Sequence, residues 1–223
     1  MAKFLALLLF GSLAAAQKPA KIVLVGDSTV NDEGGWGEGF RTSFGPPVEV
    51  VNLAKNGRSS KSFRDEGLWA PALDAKPDYI LIQFGHNDEP GKGPDRETDP
   101  ATTYRANMIR YVDEARAAGA TPVLVTSIVR RNFDADGRVK RDHLVPYVEE
   151  VRKIAQEKKV FLIDLYAMTL AQAEALPASE RESLNAVTKE GKTDTTHLGP
   201  KGRREIGAMA ADQFYTVVWG VKP

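Results

Sequence analysis

The sequence predicts an α/β protein, a three-layer α/β/α sandwich built around a parallel sheet of five strands. Two observations support this fold: short apolar runs rich in Val, Ile and Leu recur along the chain, and amphipathic segments separate them. Runs without polar alternation are typical of strands covered on both faces. Strands that alternate with helices pair in parallel through right-handed crossovers. The predicted strands are Lys21–Val25, Val48–Leu53, Tyr79–Phe84, Pro122–Thr126 and Val160–Asp164.

Four of the intervening segments have clear helical periodicity. They are Tyr104–Ala118, Pro146–Lys158, Leu165–Leu176 and Lys201–Val217. Gly119 directly follows the first of them, as expected where a helix stops. In open parallel sheets the ligand site lies beyond the carboxyl ends of the strands, so this edge is where functional residues are expected.

The first sixteen residues have the order of a secretory signal peptide rather than of a folded element. Lys3 gives a basic start, Phe4–Leu13 is almost wholly apolar, and residues 14–16 are three alanines. The apolar run is shorter than the ~20 residues that a membrane-spanning helix needs. An apolar first helix or a lipid-exposed anchor is the alternative. We therefore expect a secreted or periplasmic protein that begins near Gln17, with residues 17–223 forming a single domain.

Composition excludes several classes of protein. Lys+Arg and Asp+Glu are equal at 30 each, so no net field attracts nucleic acid or an anionic membrane. The chain has no cysteine, which rules out disulfides, thiolate metal sites and a cysteine nucleophile. Its three histidines, His86, His143 and His197, leave little material for a metal cluster. We expect a monomer without nucleic-acid or membrane partners once the leader is removed.

Polar clusters follow the first three predicted strands, and a fourth precedes the last helix. They are Gly26–Thr29, Asn52–Ser60, Phe84–Asp88 and Asp194–His197. The carboxyl ends of parallel strands share one edge, so the first three clusters are predicted to converge there.

Such an edge can supply what acyl transfer requires: a hydroxyl nucleophile, a base, a group that orients the base, and donors for the developing oxyanion. Ser28 offers the hydroxyl and His197 the base, while Asp194, three residues earlier, can orient the imidazole from the same loop. The backbone N–H groups of Ser28 and Gly57 and the side-chain amide of Asn87 are the candidate oxyanion-hole donors. Glycine permits a sharp turn and close approach to substrate, and an amide donor does not titrate.

The four blocks, in this order and spacing, resemble those of the SGNH (GDSL) hydrolases across nearly the whole mature chain. GDST, NLAKNGRSSKSF, YILIQFGHND and DTTHLGPKG are most similar to the rhamnogalacturonan acetylesterases and related carbohydrate esterases. The resemblance implies a flavodoxin-like sheet, a triad of Ser28, Asp194 and His197, an oxyanion hole of Ser28, Gly57 and Asn87, and an acyl-serine intermediate. It implies no metal or organic cofactor. The Gly-x-Ser-x-Gly elbow of ordinary α/β-hydrolases is absent.

Several further residues are candidates for a role around this site. Asp27 is predicted to orient the nucleophile turn through backbone hydrogen bonds. Trp36 lies among glycines and can either stack against a sugar or fill the end of the core. His86 either supports its loop or lines the pocket.

Arginines and a long polar segment also follow the predicted strands. Arg58, Arg130 and Arg131 can meet the carboxylates of a galacturonan, or else are solvated surface residues. Asp88–Asp99 is rich in Gly, Pro and charge, which predicts a long mobile loop near the pocket.

These observations predict a serine esterase that removes acetyl groups from plant cell-wall polysaccharide or oligosaccharide. Rhamnogalacturonan is the first expected substrate and acetylated xylan the second. One alternative is an esterase or lipase for other acyl esters or thioesters, but no apolar lid sequence follows residue 17. The other is a carbohydrate-binding protein without catalysis, which has no reason to keep all five catalytic positions.

Overall fold

The computed structural model describes residues 19–221, so the predicted signal peptide, residues 1–16, lies outside the described part of the chain. The five predicted strands form one sheet in which all neighbours pair in parallel, in the order β2-β1-β3-β4-β5. The strands are β1 (Ala20–Gly26), β2 (Val48–Asn52), β3 (Tyr79–Gln83), β4 (Thr121–Val125) and β5 (Phe161–Ile163).

The central strands are apolar on both faces because each face contributes to a different core. In β1, Val23 and Val25 pack into one cluster while Ile22 and Leu24 pack into the other, and all four are fully buried. Successive side chains of a strand point to opposite faces. This accounts for the lack of polar alternation in the sequence and confirms the predicted sandwich.

Helices cover both faces of the sheet. The four predicted helices are present, and three short helices between β1 and β3 were not predicted. Within residues 19–221, no helix has the combination of length and apolar character that crossing a bilayer requires. The helices are α1 (Gly37–Thr42), α2 (Ser62–Asp65), α3 (Trp69–Asp74), α4 (Arg105–Ala117), α5 (Val145–Lys158), α6 (Leu165–Ala175) and α7 (Pro200–Val217).

Helix α7 lies directly against α1, the helix that follows the Ser28 turn. A Cβ atom built on Gly207 would come 2.4 Å from the Cα of Gly39, so the two backbones touch without intervening side chains. Phe40 of α1 and Phe214 of α7 are both fully buried and meet edge to face, with ring centroids 5.9 Å apart. This contact fixes the C-terminal region beside the N-terminal strand.

A two-stranded antiparallel ribbon precedes α7 and was not predicted. Its strands are β6 (Asn185–Val187) and β7 (Thr193–Leu198). The prediction that a loop carries Asp194 and His197 is therefore wrong, because both lie on β7. The threonines at 193, 195 and 196 favour an extended, half-exposed strand over a loop in this segment.

Candidate active site

Ser28, His197 and Asp194 form one continuous chain of hydrogen bonds. The Oγ of Ser28 lies 2.8 Å from Nε2 of His197, although the two residues are 169 positions apart. Nδ1 of His197 lies 2.7 Å from Oδ2 of Asp194. The structure thus brings Ser28 to a distant pair on β7, in the order that a serine nucleophile, its base and an orienting carboxylate require.

The carboxylate of Asp194 is held on both sides. Its Oδ1 accepts hydrogen bonds from the backbone N–H of Thr196 at 2.9 Å and of His197 at 3.0 Å. Partial burial raises the pKa of Asp194, but the hydrogen bonds from His197 and Thr196 outweigh it, and the net pKa lies below the usual value. Asp194 is therefore ionised near neutral pH and can stabilise positive charge on His197.

The turn that presents Ser28 is set by the buried residues on either side of it. Oδ1 of Asp27 accepts from the backbone N–H of Thr29 at 2.8 Å and from its hydroxyl at 2.7 Å. The backbone oxygen of Asp27 accepts from Val30 and Asn31. Burial raises the pKa of Asp27, although the hydrogen bonds from Thr29 oppose this effect. The orienting role predicted for Asp27 is confirmed by these contacts.

Three proton donors approach the same edge of the sheet. Within residues 19–221, no acceptor engages the backbone N–H of Ser28 or of Gly57. Gly57 has φ of +74°, a left-handed conformation that favours glycine. The amide of Asn87 donates to the backbone oxygen of Arg58 at 3.3 Å, which joins the loops after β2 and β3. One N–H of Asn87 remains for a ligand.

A buried carboxylate, Asp88, also joins these two loops. It accepts from the backbone N–H of Ser60 and from the hydroxyls of Ser60 and Thr98. Tyr147 donates to the backbone oxygens of both Asp88 and Thr98, at 2.9 and 2.7 Å. Burial raises the pKa of Asp88 to about 7, against the effect of its hydrogen bonds. The Asp88–Asp99 segment, predicted to be mobile, is thus fixed at its two ends.

Arg131 fastens the ribbon to the sheet. Its backbone N–H donates to Thr195 at 2.9 Å, and its guanidinium donates to the backbone oxygen of His197 at 2.8 Å and to the side chain of Asn185. Burial lowers the pKa of Arg131 to about 10, and the charge of Asp194 opposes the shift, so the group stays protonated at neutral pH. The substrate contact predicted for Arg131 is replaced by a contact with the backbone of the histidine.

Comparison with protein families gives a match over residues 14–204 to the GDSL-like lipase/acylhydrolase family. The chain belongs to this family. The predicted resemblance to the SGNH (GDSL) hydrolases and the prediction of a carboxylic ester hydrolase are therefore confirmed.

Two curated relatives in this family come from Bacillus subtilis. The chain is 36% identical over 213 residues to the rhamnogalacturonan acetylesterase RhgT, which covers 88% of this chain and 90% of the relative. It is 34% identical over 198 residues to the probable rhamnogalacturonan acetylesterase YesY, at 85% and 90% coverage.

Solved structures share the fold of this GDSL-like hydrolase. A Bacillus subtilis protein superposes with a TM-score of 0.76 at 23% identity; the match covers 92% of this chain and 58% of the other. A catalytic mutant of Axe2, an acetylxylan esterase from Geobacillus stearothermophilus, superposes with a TM-score of 0.65 at 18% identity, covering 88% and 92%. At these identities the likeness concerns the fold.

Two of the predicted substrate-binding residues of this GDSL-like hydrolase are buried. Trp36 has no exposed surface, and its Nε1 donates to Gln83 at 2.9 Å, so of its two predicted roles it fills the end of the core and does not stack against a sugar. Tight packing in the core overrides the exposure that its glycine neighbours suggest. His86 is also buried, and its Nε2 lies 3.1 Å from the backbone oxygen of Ile128, which matches the prediction that it supports its loop. Burial holds the pKa of His86 well below its usual value, so the ring is neutral.

The remaining arginine candidates are already paired. Nε and a terminal nitrogen of Arg58 bond Glu66 at 2.9 and 2.7 Å. Arg130 bonds Glu89 at 2.8 and 2.6 Å and Asp142 at 2.7 Å. A substrate carboxylate would compete with these acids, and contact between Arg58 and substrate stays a prediction.

Proposed function

We propose that this hydrolase removes acetyl groups from an acetylated cell-wall polysaccharide, with rhamnogalacturonan as the first substrate. The hydrogen-bonded chain from Ser28 through His197 to Asp194 carries the proposal, because it supplies the chemistry of ester cleavage in a family of acylhydrolases. The names of two relatives, both rhamnogalacturonan acetylesterases, support the substrate class. The signal-peptide pattern of residues 1–16 supports action outside the cytoplasm, where such polymers occur.

In the first half-reaction, His197 Nε2 removes the proton of Ser28 as its Oγ attacks the acetyl carbonyl carbon. Negative charge then develops on the carbonyl oxygen. The N–H groups of Ser28, Gly57 and Asn87 are the proposed donors to it, and Asp194 stabilises the imidazolium that forms. His197 returns its proton to the departing sugar hydroxyl, which leaves an acetyl group on Ser28.

In the second half-reaction, His197 removes a proton from water as the water oxygen attacks the acetyl-serine carbonyl. The same donors bind the second oxyanion. Collapse of this intermediate releases acetate, and the proton on His197 returns to the Ser28 oxygen. Every proton transfer uses Nε2, the ring atom that faces Ser28.

The surface argues against a long-chain lipid substrate. Within residues 19–221, the exposed large hydrophobic side chains are Phe161, Val187 and Val221, which lie on three separate elements of the chain. A lipid-directed site needs a contiguous apolar patch to receive acyl chains. Acetyl, the shortest acyl group that carbohydrates commonly carry, makes no such demand.

The test is release of acetate from acetylated rhamnogalacturonan, pectin and xylan by wild type and Ser28→Ala. Ser183→Ala, a change at an exposed serine, is the matched control. We expect wild type and Ser183→Ala to release acetate, with rhamnogalacturonan preferred, and Ser28→Ala to release none. A series of p-nitrophenyl esters completes the test. Preference for long acyl chains, or activity that survives in Ser28→Ala, would overturn the proposal.

A further inference from the structure

A polar cleft of about 540 Å³ lies on the outer side of the β6–β7 ribbon. Its volume is within the range of small-molecule sites, ~300–1,000 Å³. Thr195, between Asp194 and His197 on β7, lines one side, and Arg131 and Asn185 line another. The cleft is therefore lined by a residue only two positions from the proposed base.

Arg181 is an unpaired cation on the wall of this cleft. Its guanidinium carbon lies 4.8 Å from the ring centroid of Phe133, which also lines the cleft, within the range of a cation–π contact. Among the residues the structure describes, no carboxylate pairs with Arg181. By contrast, Arg130 forms salt bridges with two acids, Glu89 and Asp142.

The guanidinium of Arg181 packs against Gly137, where a Cβ would come 2.3 Å from one terminal nitrogen, and its hydrogen-bonding capacity is unused among residues 19–221. Its Nε is buried without a partner, whereas the two terminal nitrogens keep contact with solvent and have no acceptor in the described chain. Two parallel N–H donors in one plane match the two oxygens of a carboxylate. Phe133 and Gly137 both contact this group and limit its freedom to move.

The charges around the cleft favour an anion. Arg131 is protonated and its guanidinium bonds backbone oxygens and Asn185, so no carboxylate neutralises it directly. Glu182 is the one acid that lines the cleft, and its Oε2 accepts from the hydroxyl of Thr193 at 3.1 Å. The cleft is thus lined by two cations, Arg131 and Arg181, and by one acid, Glu182, which is already hydrogen-bonded to Thr193. Asn185 and Thr195 add polar atoms suited to sugar hydroxyls.

We propose that this cleft is a subsite for a uronate residue of the acetylated polymer, whose carboxylate binds the fork of Arg181. The inference rests on the proposed function and deepens it. A uronate subsite next to the triad favours an acidic pectin-type backbone over neutral xylan. Only the acidic backbone carries carboxylates that can pair with the guanidinium of Arg181.

The test compares Arg181→Gln with Arg204→Gln, which removes the same charge from an exposed position on α7. Substrates are acetylated rhamnogalacturonan oligosaccharide with free carboxylates, the same oligosaccharide with its carboxylates methyl-esterified, and p-nitrophenyl acetate. We expect Arg181→Gln to raise KM about tenfold on the free acid, as expected from loss of one charge-assisted contact. Activity on the other two substrates and in Arg204→Gln stays at the wild-type level. Arg181→Lys, which keeps charge but not the fork, should fall between.

Unacetylated oligogalacturonate separates the subsite from the reaction. We expect it to inhibit wild type competitively and Arg181→Gln about tenfold less well, as the same lost contact requires. Equal KM for free and methyl-esterified oligosaccharide in wild type, or equal inhibition of both proteins, would overturn the subsite while acetate release continues. Failure of the proposed function would instead appear as loss of acetate release from every carbohydrate, with oligogalacturonate binding measured by calorimetry still weakened by Arg181→Gln. Thermal unfolding of each variant confirms that it is folded.

Discussion

Two very different regions of the molecule hold Ser28, the proposed nucleophile, and His197, the proposed base. Ser28 follows β1, the strand with β2 and β3 on either side, and its neighbours Asp27 and Thr29 are fully buried. A buried chain of hydrogen bonds continues from Thr29 through Gln83 to Trp36. His197 instead lies on a half-exposed two-stranded ribbon outside the main sheet.

Polar contacts and one core side chain, Leu198, which is fully buried, hold the ribbon in place. Arg131 bonds the backbone at Thr195 and His197, and Leu198 donates to the backbone oxygen of Gly34 at 2.8 Å. The core thus surrounds the turn of the proposed nucleophile, whereas polar contacts and the single buried side chain of Leu198 orient the proposed base. Substitutions on the ribbon should therefore reduce kcat with little loss of stability. Substitutions beneath Ser28 should reduce stability with little loss of kcat.

The largest expected effect is that of Asp194→Asn on the ribbon. Without the carboxylate, the imidazolium loses its compensating charge and the imidazole its fixed tautomer, so kcat on p-nitrophenyl acetate should fall about 10⁴-fold. The free energy of unfolding at pH 7 should change by less than about 1 kcal/mol, as for most partly exposed positions. A decrease in kcat of less than tenfold would remove Asp194 from the mechanism.

Asn87→Ala tests the loop after β3, which belongs to neither region. Loss of one oxyanion donor typically costs about 10²- to 10³-fold in kcat. KM should change little, because the contact strengthens as charge develops in the transition state. Steady-state kinetics on p-nitrophenyl acetate measure both, with circular dichroism as the check on folding. An unchanged kcat would exclude Asn87 as a donor.

Arg131→Lys tests whether the ribbon is aimed by its polar contacts. Lysine keeps the charge but cannot span the acceptors on His197 and Asn185 at once. We expect kcat on p-nitrophenyl acetate to fall about tenfold, equivalent to a misplacement worth about 1.4 kcal/mol in the transition state. KM should stay within about twofold of wild type. Arg204→Lys is the control, and a loss of folded protein without a change in kcat would show that Arg131 is only structural.

Trp36→Phe makes the opposite test beneath the nucleophile. Phenylalanine cannot donate to Gln83, and a buried acceptor left without its partner costs about 1–3 kcal/mol of unfolding free energy. The kcat of the folded enzyme should stay close to wild type. Urea unfolding and kinetics on the same sample check this pair of outcomes. A large loss of kcat at full stability would contradict the division between the two regions.

The last expected effect is on the pH dependence of stability, and its sign differs between Asp88 and Asp194. The folded pKa of Asp88 is raised from 3.8 to about 7, so the folded chain keeps a proton that the unfolded chain releases, and stability falls as pH rises across this window. The folded pKa of Asp194 is lowered, so its stabilisation is present at neutral pH and lost on acidification.

Urea unfolding from pH 7 to well below pH 3.8 separates these two contributions, because Asp88 acts between 3.8 and about 7 and Asp194 acts below 3.8. Asp88→Asn should flatten the decline in stability toward pH 7. Asp194→Asn should leave that decline unchanged and instead reduce the loss of stability at the acid end. Identical profiles for wild type and Asp88→Asn would show that Asp88 does not titrate there.

The sheet was predictable because burial on both faces requires runs of apolar residues without polar alternation, which are visible in the sequence. The apolar run Lys21–Val25 predicts β1, which extends from Ala20 to Gly26. The two strands of the ribbon have no such apolar run. Strand β6 has three residues, and β7 is polar, half-exposed and interrupted by a bulge between Asn185 and Ala186 on its partner. Pairing between two such strands depends on tertiary contacts.

In the candidate site, too, some features were predictable from the sequence and others were not. The residues at the ends of strands, and the spacing of Asp194 to His197, predict the meeting of Ser28, His197 and Asp194 that the structure contains. The role of Arg131 was not predictable, because its acceptors are backbone oxygens and an amide 54 residues away. Trp36 was left open between core and surface for a related reason: packing against Phe40 decides its position.

The contact between Leu198 and Gly34 has a consequence for the order of events during synthesis. The Ser28 turn is made early, whereas the imidazole that activates it belongs to the last strand before α7. A chain still on the ribosome can complete all five parallel strands and still hold only an ordinary, unreactive alcohol at its centre. On the proposed mechanism, activity therefore requires β7, with its contact to Gly34, in addition to the complete sheet.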